Sequence, residues 1–218
     1  MSERLLRLLE GAAGGMPPPA DGVVEVWPAL DGPVDAVLAF TAHHVVAAAV
    51  DPDLVAARLP EGDLGAPMSA GFLAWLGGRL GSHPGSLDVV LAAPGLGGAP
   101  PLELRPLEGP ARHPRAARAQ RYRRDLRVWT DPEGAGVLVI GRGLAGRREL
   151  SFEVDPDRRN RGLGRLLVAA ARHLVPAGEP LFAQVSPGNA ASLRVVEVAG
   201  FRPIGAEVLF HRDGADPT

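Results

Sequence analysis

Apolar spacing along the chain begins as a helix pattern and then shifts to strands. Leu5, Leu6, Leu8 and Leu9 recur at helical intervals over 2–10, with Ser2 placed to cap the first turn. A Gly/Pro break, GGMPPPADG, ends that segment. VVEVW (23–27), DAVLAF (35–40) and HVVAAAV (44–50) are short apolar runs bounded by turn residues, which predicts strands. MSAGFLAWLGGRL (68–80) has helical periodicity weakened by glycines, and SLDVVLAA (86–93) reads as another strand. PGLGGAPP (94–101) has no periodicity and suits a connector, so the expected division is an N-terminal α/β region at 1–98 and a second domain at 99–218.

Beyond the connector the pattern is regular. LELRPL (102–107) predicts a strand. PRAARAQRYRRDLRVW (114–129) predicts one helix, because Ala119, Tyr122, Leu126 and Trp129 recur at helical spacing. VLVIGRG (137–143) and RRELSFEV (147–154) form a predicted antiparallel pair joined through GLAG. A helix over about 163–175, a strand PLFAQV (180–185), a helix capped by Asn189 and closed by Gly200, and a strand RPIGAEVLF (202–210) follow. The order β-α-β-β-α-β-α-β predicts an α/β fold, an α+β mixed sheet with helices on both faces.

Composition narrows the class. The chain has 218 residues, 46% of them hydrophobic, with a formal net charge of −2, which fits a soluble globular protein. Balanced charge argues against a dedicated nucleic-acid or membrane-surface binder. There is no cysteine, which excludes disulfides, a thiolate nucleophile and Cys-ligated metal, and suits a reducing, cytoplasmic setting. The histidines are scattered, and His43 and His44 are adjacent on a strand, so no metal is expected. The first residues lack the apolar core of a signal peptide, and no stretch approaches the roughly 20 apolar residues of a membrane span. Lysine is absent and every basic residue is arginine, as a GC-rich genome would produce, so arginine enrichment by itself says little.

One stretch carries distinctive chemistry. Arg159-Asn160-Arg161-Gly162-Leu163-Gly164-Arg165 lies between a predicted strand ending at Val154 and a predicted helix. A helix start offers unpaired N–H groups and the positive end of a dipole, which suits an anion. Gly162 and Gly164 let a phosphate approach the backbone, and Arg158, Arg159, Arg161 and Arg165 add charge-assisted donors. The three spaced glycines of a dinucleotide fingerprint and the Gly-Lys-Ser/Thr of a P-loop are both missing.

The run from Val154 to Gly164, followed by Asn189, Ser192, Gly200 and Phe201, resembles the GCN5-related N-acetyltransferase (GNAT) family. The resemblance covers about 102–210. It implies a GNAT acyl-CoA N-acyltransferase fold with an α/β N-terminal extension, and acetyl-CoA as co-substrate without a metal. It also implies that Arg159–Arg165 holds the pyrophosphate, that Phe152, Glu153 and Val154 line the pantetheine with main-chain groups, and that Asn189 and Ser192 flank it from the other side. The acceptor would be a primary amine of a small molecule or peptide, attacking directly in a ternary complex. Candidate bases are Glu149 and Glu153, which share one strand face with Ser151. The family's usual tyrosine position is here Val196, which leaves a non-catalytic acyl-CoA sensor as the alternative.

Two further features stay open. Seven arginines within 112–127 form either a solvated helix face or a recognition surface for an acidic acceptor or partner. Val50-Asp51-Pro52-Asp53 echoes Val154-Asp155-Pro156-Asp157, as a degenerate GNAT-like half or an unrelated extension would both allow. On either reading the N-terminal half is expected to supply substrate walls or a homodimer surface.

Overall fold

The computed structural model of the protein describes residues 1–109 and 113–212. The chain divides into two compact units, residues 1–90 with the C-terminal segment from Ile204, and Leu91–Pro203. The expected connector at 94–101 is firmly held within the second unit. Gly95 N–H donates to Glu179 O (2.7 Å), Gly97 N–H to Val175 O (3.0 Å), and a Cβ on Gly95 would sit 2.3 Å from Pro176 O.

The first unit contains α1 (Ser2–Ala13), β1 (Val24–Trp27), β2 (Val34–Phe40), β3 (His43–Ala47), α2 (Pro52–Arg58), α3 (Ala70–Leu80), the start of β4 (Pro84–Pro94) and most of β10 (Arg202–His211). Strand order is β1-β3-β2-β10-β4, with β1 parallel to β3 and β2 antiparallel to both its neighbours. Val37, Val46, Phe72, Leu76 and Phe210 form the core. Met1, not Ser2, occupies the N-cap of α1, and Ser2 Oγ instead accepts from Asp31 N–H (3.0 Å). The two Asp-Pro-Asp strings begin different local structures. Asp51 caps α2 directly, whereas Asp155 leads into a 3-10 turn at Pro156–Arg158.

The second unit contains β5 (Arg105–Pro106), α4 (Pro114–Tyr122), β6 (Arg124–Thr130), β7 (Gly136–Arg142), β8 (Arg148–Val154), α5 (Leu163–His173), β9 (Pro180–Val185) and α6 (Ala190–Val198). Its strand order is β9-β8-β7-β6-β5. The meander β6-β7-β8 is antiparallel and β9 joins β8 in parallel, after the α5 crossover. Helices cover both faces of β7, so Gly136–Gly141 is buried throughout and reads as an unbroken apolar run. Val137 and Val139 pack on Ala116 and Ala119 of α4. Gly136 faces α5 instead, where a Cβ would lie 2.7 Å from Leu167.

The predicted helix over 114–129 is corrected. It stops at Tyr122, Arg123 is extended, and Arg124–Thr130 is a strand. Leu126 and Val128 alternate with exposed Asp125 and Arg127, a period of two that overlapped the helical spacing. Register shifts between Arg124 and Arg127, and Asp125 has φ of 53°, the mark of a bulge. The predicted strand 102–107 shrinks to two residues, one of them a proline that cannot donate to a ladder. The remaining elements of this region fall where the periodicity put them. No helix among the described residues is long and apolar enough to cross a membrane.

Leu138, fully buried at the middle of β7, tests the two-faced burial of that strand. Leu138→Ala should cost about 2–5 kcal/mol, read as a lower urea midpoint at unchanged slope.

Candidate functional site

β8 alternates between two surroundings. Leu150, Phe152 and Val154 face α5, while Glu149, Ser151 and Glu153 lie opposite Gly141, Val139 and Val137 on the α4 side. Parallel pairing with β9 is recorded at Glu149↔Phe182, and among the described residues no further register pair joins the strands. The next same-face partners would be Ser151 and Gln184. The Arg123 guanidinium bridges these two side chains, donating to Ser151 Oγ (3.0 Å) and Gln184 Oε1 (3.2 Å).

The same guanidinium donates through Nε to Glu149 Oε2 (2.7 Å), and Arg147 Nε donates to Glu149 Oε1 (2.7 Å). Leu144 N–H adds a third bond at 3.2 Å. Burial opposes ionisation of Glu149, but the charges of Arg147 and Arg123 outweigh it and hold the carboxyl below its ordinary value. Glu149 is therefore a fixed anion that joins two arginines.

Past Val154 the chain makes its 3-10 turn, passes Asn160 in the left-handed region (φ 61°), and enters α5 at Gly162 (φ 87°). No side chain caps α5, whose Arg165 N–H donates to Gly162 O (3.0 Å), so the N–H groups before it are the ones a ligand could take. Gly164 packs close to Phe152, where a Cβ would make a tight 3.3 Å contact with the ring. Arg159 Nε donates to Val154 O (3.1 Å), which closes the loop back onto the end of β8. Arg158 pairs with Glu133.

These elements surround a cavity of about 570 Å³. Of the residues expected at a site, Phe152, Glu153, Val154, Arg159, Asn160, Gly162, Leu163, Gly164, Arg165, Asn189 and Ser192 line it. Glu149 is instead in the buried network described above, and Arg161 is exposed on the loop. Asn189 Oδ1 accepts from Ser192 N–H (3.1 Å), so it caps α6 while lining the cavity. Val196 is fully buried and presents nothing to the site. Sequence reasoning did not single out Arg115 or Arg194 as lining residues. No local motif marks either one, because α4 and α6 bring them in from distant segments.

The lining holds five arginines, Arg115, Arg158, Arg159, Arg165 and Arg194, against one acid, Glu153. Glu153 accepts from Arg115 Nε at 3.2 Å, and both side chains are partly exposed. The cavity is strongly positive and suits a ligand with several negative charges.

An antiparallel meander passing through an arginine- and glycine-rich loop and helix into a parallel strand is a mixed α/β arrangement, the class the sequence predicts. Residues 150–210 match the family model described as FR47-like protein. No curated protein matches the chain in sequence. Among solved structures, a GCN5-related N-acetyltransferase from Kribbella flavida is 17% identical, with a TM-score of 0.43 over 65% of this chain and 64% of its own. A protein from Drosophila is 16% identical, with a TM-score of 0.46 over 68% of this chain and 59% of its own. A tandem GNAT protein from the clavulanic acid biosynthesis pathway is 18% identical, with a TM-score of 0.40 over 73% of this chain and 62% of its own. The chain thus spans about three fifths of the length of these structures.

Removing the Glu149 charge should be costly, because Arg147 is fully buried beside it. Glu149→Gln is expected to lose about 3–5 kcal/mol of stability at neutral pH, measured by urea unfolding. The folded pKa lies below the unfolded value of 4.5, so the stabilisation is complete above pH 4.5 and fades as pH falls through the folded value. The difference between the parent and Glu149→Gln should therefore shrink with acidification.

Proposed function

We propose that this chain is an acyl-CoA-dependent N-acyltransferase that moves an acetyl group from acetyl-CoA to a primary amine of a small molecule or peptide. The observation that carries this reading is the arginine-lined cavity at the open N-terminus of α5, bounded by the end of β8. A pyrophosphate would take the N–H groups of Gly162–Gly164 at the positive end of the helix dipole. Arg158, Arg159, Arg165 and Arg194 are within the lining to balance the phosphates of CoA. The pantetheine arm would run along β8 past Phe152 and Val154, with Asn189 and Ser192 across from it.

The amine must lose a proton as it attacks. Glu149, held ionised by two arginines, is poorly suited to accept one. Glu153 lines the cavity on the same strand face and takes that role, directly or through a water. The amine nitrogen then bonds to the acyl carbon, the C–S bond breaks, and the CoA thiolate takes a proton from solvent, since Val196 offers none. A main-chain N–H near the end of β8 would stabilise the oxyanion.

The buried Val196 and the committed Glu149 favour a second reading, an acyl-CoA sensor that binds without turnover. Thiol release with a panel of amines separates the two readings. Turnover supports the transferase, and binding without turnover supports the sensor.

Calorimetry should show acetyl-CoA binding in the micromolar range, abolished by Gly162→Glu, which puts a carboxylate at the start of α5 at a position of φ 87°. Absence of binding by the parent protein would remove both readings.

A further inference from the structure

The α4 side of the cavity has chemistry that the CoA reading leaves unused. Seven arginines cluster in 112–127, and the structure gives them different fates, with Arg112 outside the described residues. Arg123 is drawn into the Glu149 network, and Arg124 and Arg127 are exposed on β6. Arg115, Arg118 and Arg121 stand on α4, a helix with no acidic residue. Arg118 and Arg121 are exposed and make no ion pair among the described residues.

Arg115 differs from these two. It lines the cavity and faces Glu153 across the gap, with only Nε engaged among the described residues. The planar guanidinium keeps its two terminal nitrogens for a second partner, the geometry that receives a carboxylate. The nearest other acid on that strand face, Glu149, has its charge cancelled by Arg123 and Arg147. The α4 end of the cavity is therefore positive apart from Glu153. A cationic acceptor with no acid of its own would meet Arg115, whereas an anionic group would complete it.

Resting on the acyl-transfer reading, we infer that the acceptor is an amine that also carries a carboxylate, held by Arg115. The carboxylate takes the terminal nitrogens of Arg115 and draws its Nε away from Glu153. Glu153 is then free to accept the proton of the amine. Acceptor recognition and base release would share one ion pair, which ties specificity to turnover.

Two amine pairs that differ in a single charge test this. β-Alanine is compared with propylamine, and glycylglycine with glycylglycinamide, using acetyl-CoA and the full chain. The anionic member should be favoured by about tenfold or more in kcat/KM, the ratio one charge-assisted hydrogen bond supports. Arg115→Gln should bring that ratio close to one by raising KM for the anionic amine, with KM for acetyl-CoA unchanged. Arg115→Lys should restore part of the preference. Binding of glycylglycine and its amide to the CoA-saturated protein gives the same comparison without turnover, and a melting curve shows that each variant is folded. Equal use and equal binding of charged and neutral amines would overturn the inference. So would a rise in the acetyl-CoA KM of Arg115→Gln, because Arg115 would then belong to the phosphate cradle. If acetyl-CoA itself does not bind, the acyl-transfer reading fails first, and the two failures are told apart by that measurement.

Discussion

β8 and β9 run in parallel with Glu149 opposite Phe182, and the arginine network around Glu149 ties the two strands together on that face. Here Arg123 stands between Ser151 and Gln184 and binds both. Its charge is tolerated because Glu149 lies beside it, and Glu149 is tolerated because Arg147 shares it. One buried chain of ion pairs thus fixes the geometry of the strand ends.

That constraint also assigns the carboxylates. Glu149 and Glu153 are two residues apart on one face of one strand, yet their surroundings give them different work. Glu149 is buried among guanidiniums and holds structure. Glu153 is partly exposed in the cavity, with a single arginine partner that another anion can take. The loop beyond Val154 is built by separate means, two left-handed residues and a glycine that lets α5 close onto Phe152.

Much of this was legible in the sequence where one physical cause dominates. The apolar run of β7, the turn into β8, the glycine loop and the Asn189 cap are local signals, and the structure has them in place. Arg123–Thr130 was misread because a helical and an alternating pattern coincide there, and the bulge at Asp125 has no sequence mark of its own. Arg115 and Arg194 could not be placed at the cavity, since only tertiary packing of α4 and α6 brings them there. The environments that separate Glu149 from Glu153 likewise depend on Arg123, which lies 26 residues before Glu149 in the chain.

We propose that the start of α5 and its arginines hold the phosphates of an acyl-CoA. A crystal structure of the protein with CoA tests it most directly. The expected result is pyrophosphate oxygens within hydrogen-bond distance of the N–H groups of Gly162–Gly164, and the thiol end of CoA beside β8 near Glu153. CoA bound elsewhere, with its phosphates away from this loop, would contradict it.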